Sequence, residues 1–415
     1  MTVGGGTAYA GKLACVRCGA EYAGAALELV GAGCPACTAA NVLPVYDLTG
    51  LSAVPVTSDQ PGIFRYRALL PLSPGVAPVS LGEGGTPVVE LPRLARSTGL
   101  RQVWVKDESR NPTWSYKDRL AAVATTTAVE VGAETVVVAS TGNHGAAVAA
   151  YAARAGLRCV VLTLASVPTT MKTLMQAYGA EVVALPKPAD RWRLMRELVA
   201  ARGWMAMSGF ADPPAGSHPY GVDGYKTIAY ELIEQLPAAP DVVVVPVAYG
   251  DGLSGIARGF ADLAALGVIS RVPRLIAAEP FGPLAEALAT GSDTAGPVPV
   301  QPSVAFSTAS PFGTRQSLAA LRGSGGAAVA TPDNDEIMAE QLSLAATSGV
   351  YLEASSVTAA VALRKAAASG LIGPDATAVI IGTSTGLKDV GATAARLSEV
   401  PVIEPTIVAL DKVLR

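Results

Sequence analysis

Short apolar runs rich in β-branched residues alternate with longer alanine-rich or amphipathic stretches along most of this chain. The apolar runs predict strands at 103–105, 135–138, 159–162, 181–184, 241–245, 275–277 and 378–381. The longer stretches predict helices at 145–155, 190–201 and 334–347, and a further helix after residue 117. Strands that alternate with helices form parallel sheets covered on both faces, so the pattern predicts an α/β fold.

Composition narrows the function classes. The chain has 415 residues, half of them hydrophobic and 16% charged, which is typical of a folded protein with substantial cores. A net charge of −3 provides no global basic field for nucleic acid or membrane lipid. Apolar runs such as 242–245 are too short to span a bilayer, and residues 1–6 lack the features of a secretory signal. We therefore expect a cytoplasmic protein with a small-molecule substrate.

Four of the five cysteines form two pairs near the N-terminus. Cys15 and Cys18 make one C-x-x-C knuckle, and Cys34 and Cys37 make a second one after 15 intervening residues. That spacing is typical of a ribbon whose four thiolates close a structural zinc site. Two disulfides or four free thiols are the alternatives. A reducing cytosol disfavours the disulfides. The fifth, Cys159, lies in an apolar run and is expected in the core.

Lys117 has a sequence setting that suits covalent chemistry. It follows the strand predicted at 103–105 and a polar turn, and it begins an alanine-rich helix. Burial and the positive end of a helix favour an uncharged, nucleophilic amine, as Schiff-base chemistry requires. A solvated surface lysine is the alternative reading.

The segment 250–255 has the form G-x-G-x-x-G, follows the strand predicted at 241–245 and precedes a helix expected from Ile256. Bare backbone amides at a helix N-terminus hold a phosphate, and Glu279 at the end of the next strand fits a dinucleotide fingerprint. The motif therefore predicts a phosphate site, and an NAD-dependent oxidoreductase stays open as an alternative.

The segment 382–386 has the form G-x-S-x-G, as in a hydrolase nucleophile elbow. That fold needs a catalytic histidine after the serine, here Ser384. The only two histidines, His144 and His218, both precede it, so a Ser-His-Asp hydrolase is disfavoured.

Five ordered segments resemble the motifs of threonine synthase and its relatives, the fold type II pyridoxal-phosphate enzymes. They are LGEGGTP at 81–87, NPTWSYKDR at 111–119, STGNHG at 140–145, VAYGDGL at 247–253 and TSTGLKD at 383–389. The resemblance implies two doubly wound parallel-sheet subdomains of the tryptophan synthase β-like kind. The implied organisation is a zinc-ribbon-like segment at 1–45, a large domain at 46–121 and 216–415, and a small mobile domain at 122–215.

The resemblance also assigns roles around the cofactor. Lys117 matches the Schiff-base lysine, Asn143 the residue at the ring hydroxyl, and Thr383 the neutral partner of the pyridine nitrogen. The loop that matches the phosphate site consists of Ala248, Tyr249, Gly250, Asp251 and Gly252. Because an acid repels a phosphate, we expect Asp251 to point outward. A neutral pyridine partner suits β- or γ-elimination and replacement. The alternatives are that Asn143 is an ordinary helix cap and that Thr383 is a turn residue.

Three departures from threonine synthase bear on the substrate. Trp114 replaces a glycine, His144 replaces a small hydroxyl residue, and Gly221 replaces an arginine suited to phosphate. The loop with His144 is similar to that of serine/threonine dehydratases and diaminopropionate ammonia-lyases. Candidate substrate-binding residues are Trp114, Ser115, Ser140, Thr141 and His144, and remaining candidates for positive charge are Arg119, Lys226 and Arg315.

We therefore expect a threonine synthase-like lyase that acts on a small, non-phosphorylated amino acid, with the indole of Trp114 narrowing the pocket. Threonine synthase proper acting on phosphohomoserine, and a dehydratase or diaminopropionate ammonia-lyase, are alternatives within the family. A non-catalytic, zinc-binding pseudoenzyme is the alternative outside it, and a homodimer is a possible assembly.

Overall fold

The computed structural model describes residues 7–23, 29–37, 41–212 and 214–414. Residues 1–6, on which the expectation of no secretory signal was based, lie outside this range. No helix in the described ranges is both long and apolar enough to cross a bilayer.

The described chain contains strands in three sheets. They are β1 (Tyr9–Cys15), β2 (Glu21–Ala23), β3 (Val42–Tyr46), β4 (Val88–Glu90), β5 (Gln102–Asp107), β6 (Thr135–Ala139), β7 (Arg158–Leu164), β8 (Glu181–Leu185), β9 (Met205–Ala206), β10 (Val242–Pro246), β11 (Arg274–Glu279), β12 (Ala327–Ala330) and β13 (Thr377–Gly382).

Helices lie between most of these strands. They are α1 (Pro92–Thr98), α2 (Lys117–Glu130), α3 (Asn143–Ala155), α4 (Thr169–Ala177), α5 (Pro188–Arg202), α6 (Pro219–Val222), α7 (Lys226–Gln235), α8 (Asp251–Ala265), α9 (Pro283–Thr290), α10 (Arg315–Gly323), α11 (Asn334–Ser348), α12 (Ala354–Ala368), α13 (Val390–Ala394) and α14 (Ile407–Asp411). Short 3₁₀ turns occur at Gly62–Leu69, Glu108–Arg110, Asp223–Tyr225, Phe306–Thr308 and Gly386–Lys388.

Two of the sheets are built from parallel strands, which confirms the predicted α/β class. The larger has the order β12-β11-β10-β13-β5-β4, and only the pairing of β4 with β5 is antiparallel. The smaller has the order β8-β7-β6-β9 and is parallel throughout. The N-terminal residues form a separate antiparallel sheet, β2-β1-β3. The domain boundaries expected from the sequence stay a prediction.

The seven strands predicted from apolar runs are β5, β6, β7, β8, β10, β11 and β13. The helix expected from Ile256 begins earlier, at Asp251, because Gly250 adopts a left-handed conformation (φ 89°) and caps it. The proline-rich stretch 55–78 is more than a linker. Its 3₁₀ turn buries Ile63, Phe64 and Leu69 fully in the core.

Helix α2 crosses the interior of the molecule, with 11 of its 14 residues buried. It packs against α3 and α6. Close approach of the neighbouring chain requires glycine at Gly224, where a Cβ atom would lie 2.0 Å from the carbonyl oxygen of Arg119. Small residues thus bring the start of α2 into the middle of the fold, where its first residue is Lys117.

A buried network of ion pairs connects α2 to the large sheet and to α7. The Arg119 guanidinium is fully buried and donates to both carboxylate oxygens of Glu108 and both of Glu231, all at 2.7 Å. Lys106 of β5 donates to Glu231 at 2.6 Å, and the Thr86 hydroxyl donates to Glu108 at 2.6 Å. Burial opposes the charge on Glu231, but Arg119 and Lys106 lower its pKa to about 2. Two cations and two carboxylates therefore balance within the core.

We expect Arg119→Met to lower the free energy of unfolding by about 3–5 kcal/mol, because it leaves two buried carboxylates without their shared partner. Urea denaturation followed by circular dichroism measures this loss. Arg158→Met is the matched control, since Arg158 pairs with Glu181 on the surface, where both side chains are about half exposed. Equal stability of the two variants would show that the buried network contributes nothing particular.

Candidate active site

A cavity of about 980 Å³ lies between the two parallel sheets. Its walls come from the segments that follow β6 of the small sheet and β5, β10 and β13 of the large one. These are carboxyl ends of strands, where ligands bind in open α/β sheets. The cavity is lined by Lys117, Ser140, Thr141, Asn143, His144, the loop 248–252 and Thr383, among others.

Lys117 is half-buried and faces this cavity, so it is not a solvated surface lysine. As the first residue of α2 it lies at the positive end of the helix dipole. Its Nζ atom is 3.5 Å from the Tyr116 hydroxyl and lies 4.6 Å and 5.6 Å from the ring centroids of Tyr116 and Tyr225. An amine held between two aromatic rings and open to a cavity is well placed to react with a carbonyl carbon.

The loop 248–252 leads from β10 into the first turn of α8. The first amides of a helix have no acceptor within the helix, so they can hold an anion. Gly252 lets this backbone approach closely, because a Cβ atom there would lie 2.6 Å from the Tyr116 ring. The Thr314 and Ser317 hydroxyls donate to the Tyr249 carbonyl at 2.6 and 3.1 Å and hold the loop in place. The arrangement fits a phosphate group.

The expectation that Asp251 points outward is wrong, because its side chain is buried and its carboxylate is tied to the protein. Its Oδ1 accepts from the Ser217 amide at 3.0 Å and from Gln316 Nε2 at 2.5 Å. The Gln316 carbonyl oxygen in turn accepts from Asn41 Nδ2 at 3.1 Å. Burial raises the pKa of Asp251, and the Lys117 charge and the hydrogen bonds from Ser217 and Gln316 oppose this shift.

Asn143 is the first residue of α3, and Gly142 occupies the cap position, so Asn143 is not the helix cap. Its side chain faces the cavity and is held from both ends of the amide. The carbonyl oxygen accepts from Lys388 Nζ at 2.6 Å, and Nδ2 donates to Glu353 at 2.8 Å.

Thr383 follows β13 and is buried against the cavity wall. Its hydroxyl shares a hydrogen bond of 2.6 Å with Ser356, and its carbonyl oxygen accepts from the Tyr116 amide at 2.9 Å. It therefore links the strand end to the residue before Lys117. A neutral hydroxyl at this place is available for a ring nitrogen.

His144 and Ser217 present unsatisfied polar atoms where they line the cavity. In the described part of the chain, His144 Nε2 and Ser217 Oγ are buried without a hydrogen-bond partner. Ser140 has a supporting role instead, since its hydroxyl accepts from the amides of Gly142 and Gly145 at 3.2 and 2.9 Å. Unpartnered buried groups around a cavity indicate where a ligand's polar atoms would bind.

Trp114 and Ser115 are not among the residues that line the cavity, and their assignment as substrate-binding residues stays a prediction. The Trp114 side chain is 45% exposed, so the expectation that its indole narrows the pocket is wrong. Its backbone is left-handed (φ 60°), which explains why glycine suits this position in the motif. The neighbouring Ser115 pairs with Ser384 as an isolated backbone bridge, and within the described residues its buried hydroxyl has no hydrogen-bond partner.

The three cations proposed from the sequence are also outside the cavity wall. Arg119 belongs to the buried ion network, Lys226 pairs with Asp262 at 2.6 Å, and Arg315 lies 3.8 Å from Asp293. Besides Lys117, two cations among the described residues line the cavity, Lys187 and Arg191 on the small-sheet side, and the sequence analysis did not single them out. They fall in no recognised motif, so only their place at the start of α5 reveals them.

Glu279 does not have the role that a dinucleotide fingerprint requires. Its two carboxylate oxygens accept from the amides of Leu284 and Ala285 at 3.1 and 2.8 Å, so it caps α9. The side chain is therefore not free to bind a ribose, and the oxidoreductase reading loses its acidic residue.

Neither histidine is expected to titrate in the folded protein between pH 5 and 8. Burial, and for His144 also the nearby Lys117 charge, lowers the pKa of both His144 and His218 to about 3. Because the folded pKa lies below the unfolded value of about 6.5, the stability from these neutral rings is lost as pH falls from 6.5 towards 3. Imidazole NMR signals that stay constant from pH 5 to 8, but titrate near 6.5 in urea, would confirm this. A native signal that titrates between 6 and 7 would contradict it and restore a charged His144.

Comparison with known proteins agrees with this geometry. Residues 79–384 match the family model described as "Pyridoxal-phosphate dependent enzyme". The chain is similar to threonine synthase of Methanosarcina acetivorans, with 33% identity over 97% of this chain and 98% of that protein. It is also similar to threonine synthase of Methanocaldococcus jannaschii, with 34% identity over 85% of this chain and 87% of that protein.

A solved structure with the same fold is diaminopropionate ammonia lyase from Escherichia coli, with a TM-score of 0.63 and 18% identity over 76% of this chain and 87% of that one. At this level of identity the likeness concerns the fold alone. The family model and the two threonine synthases show that the chain belongs to the pyridoxal-phosphate-dependent enzymes, as a threonine synthase-like lyase.

Proposed function

We propose that this lyase eliminates or replaces the β or γ substituent of a small amino acid that carries no phosphate. The observation that carries the proposal is the environment of Gly221. A Cβ atom there would lie 3.0 Å from both Cγ and the carbonyl oxygen of Leu120, so the position has no room for an arginine. Arg119 and Lys226 are fully buried in ion pairs and do not replace it. A substrate phosphate next to this position would therefore lack an arginine partner, and a buried phosphate dianion without such a partner is costly.

The residues around the cavity fit pyridoxal phosphate. The loop 248–252 would hold its phosphate, Lys117 its carbonyl carbon, Asn143 its ring hydroxyl and Thr383 its ring nitrogen. The group supplies an electron sink for the α-carbon of an attached amino acid. Lys117 would act as the general base on this wall. It would take the α-proton of the substrate and return it. His144, uncharged, offers a hydrogen bond to the substrate rather than a positive charge.

Threonine synthase proper is the second candidate. Two observations favour it, namely the name of the full-length relatives and the presence of Lys187 and Arg191 on the cavity wall. Arg191 is 9% exposed, and among described residues its only hydrogen bond runs from Nε to the Pro188 carbonyl oxygen. The rest of its guanidinium is available to an anion. In this case the small sheet would bind the phosphate of phosphohomoserine.

A substrate panel decides between the two candidates. We expect a kcat/KM at least about tenfold higher for serine, threonine or diaminopropionate than for phosphohomoserine. A free-energy cost of about 1.4 kcal/mol for a phosphate without a cationic partner gives this ratio. Release of ammonia and a keto acid is the measurement, with threonine formation followed in parallel. Rapid formation of threonine from phosphohomoserine, lost in Arg191→Met, would instead establish the second candidate.

Lys117→Ala is the control for the chemistry in that panel. Loss of the proton carrier should lower turnover of every substrate by about 10²–10⁴-fold or more. Lys365→Ala is its match, since Lys365 lies on the surface and pairs with Glu336 at 2.8 Å. Equal turnover of the two variants would remove Lys117 from the mechanism.

We also propose that the four N-terminal cysteines bind zinc. Their Sγ atoms all lie within 4.8 Å of one another, with Cys15 and Cys37 at 3.6 Å and Cys18 and Cys34 at 3.8 Å. A tetrahedral site with Zn–S bonds of about 2.3 Å places sulfurs about 3.8 Å apart, so the spacing supports this metal. The antiparallel sheet β2-β1-β3 carries the first knuckle, as in a zinc ribbon.

Elemental analysis should find one zinc per chain, and Cys18→Ser should lose it while Cys159→Ala keeps it. Chelation should destabilise the N-terminal segment more than it changes turnover, because the site contributes its binding free energy to the folding of that segment. Limited proteolysis with and without chelator measures the difference. Rapid reaction of all four thiols in protein free of zinc would show that the site is vestigial.

A further inference from the structure

Lys388 is a buried amine that the proposed chemistry leaves without a role. It ends the 3₁₀ turn Gly386–Lys388 after β13 and is 6% exposed. Its ammonium group reaches back towards the cavity wall and donates to the Thr113 carbonyl oxygen and to Asn143 Oδ1, both at 2.6 Å. Burial lowers the pKa of Lys388 to about 8, opposed by the carboxylates of Glu353 and Asp118. A buried cation at hydrogen-bond distance from a cavity residue can control that residue's orientation.

The hydrogen bonds of Asn143 leave one group free. Its Oδ1 accepts from Lys388 and from the Ser384 hydroxyl at 3.4 Å, and one Nδ2 hydrogen goes to Glu353. An ammonium group is only a donor and a carboxylate only an acceptor, so the amide cannot be flipped without two repulsive contacts. The second Nδ2 hydrogen is therefore the only group that Asn143 offers to the cavity.

Glu353 is fixed as firmly as Lys388. Its other carboxylate oxygen accepts from the Ser307 hydroxyl, and the residue caps the N-terminus of α12, where a negative charge is favoured. The amide of Asn143 thus lies between a positive and a negative group, each held by a separate segment of the large domain. Asn143 itself comes from α3, which follows the small sheet.

We propose that Lys388 is a positioning residue that acts through Asn143. It fixes the amide so that an N–H, and never the carbonyl oxygen, faces the cofactor's ring hydroxyl, and its charge strengthens that donor towards an ionised oxygen. Without Lys388 the amide keeps Glu353 as its one charged partner and is held less firmly. A rotated amide would turn its carbonyl oxygen to the ring oxygen, which it repels. This inference rests on the assignment of Asn143 to the ring hydroxyl.

The test is a double-mutant cycle on cofactor binding, measured on the full chain during reconstitution of the holoenzyme and without substrate. Wild type, Lys388→Met, Asn143→Ala and the double variant are titrated with pyridoxal phosphate, and the absorption spectrum of the bound cofactor is recorded. We expect Lys388→Met to raise the dissociation constant about tenfold and to shift the absorption maximum. In the Asn143→Ala background the same substitution should change neither quantity, because its effect passes through Asn143.

Equal effects of Lys388→Met in both backgrounds would overturn the proposal, since Lys388 would then act independently of Asn143. A wild-type spectrum and affinity in Lys388→Met, or in Asn143→Ala, would overturn it as well. If the methionine variant does not fold, Lys388→Gln replaces it. Glutamine keeps a donor without the charge, and its spectrum should lie between those of wild type and Asn143→Ala. Since no substrate is used, failure of the proposed lyase reaction in the substrate panel would be seen separately.

Discussion

The position of Lys117 depends on the guanidinium of Arg119, two residues further along α2. This single buried group joins Glu108 beyond β5 to Glu231 on α7. The Gly85 amide donates to the same Glu231 at 2.9 Å, which brings the glycine-rich segment 81–87 into the network. A fully satisfied arrangement of charges in the core specifies one geometry, because any displacement leaves a carboxylate without its partner. The network therefore fixes the position of the first turn of α2, which includes Lys117.

Most residues of two of the five sequence motifs hold the backbone around Lys117. These motifs are the segments 81–87 and 111–119. In the segment 81–87, Glu83 accepts from Tyr151 at 2.7 Å and Thr86 donates to Glu108. In the segment 111–119, the amide and hydroxyl of Thr113 both donate to Asp118. Of the residues in these two motifs, Tyr116 and Lys117 line the cavity. Motif residues around a reactive group therefore serve mainly to hold the backbone that carries it.

The sequence predicted seven of the ten strands in the two mainly parallel sheets. It also predicted the parallel architecture and the gathering of Lys117, Asn143, loop 248–252 and Thr383, since each follows a strand and parallel strands end at one edge. It missed β4, β9 and β12, which have three, two and four residues, because strands this short have too little periodicity to detect. It misplaced Trp114 because the direction of a side chain depends on a left-handed backbone that glycine-to-tryptophan replacement does not reveal. It also selected Arg119 and Lys226 as available cations, since sequence does not show which charges are already paired.

Hydrogen bonds from Asn41 to Gln316 and from Gln316 to Asp251 connect the N-terminal sheet directly to the loop 248–252. A Cβ atom on Gly216 would lie 2.6 Å from Gln316 and 2.8 Å from Asn41, so the three segments meet without spare volume. The N-terminal ribbon is consequently part of the wall behind the loop rather than an appendage. Removing this ribbon to obtain a shorter protein would expose the buried Gln316 to water. Gln316 would then hold the Asp251 carboxylate, at the start of α8, less firmly.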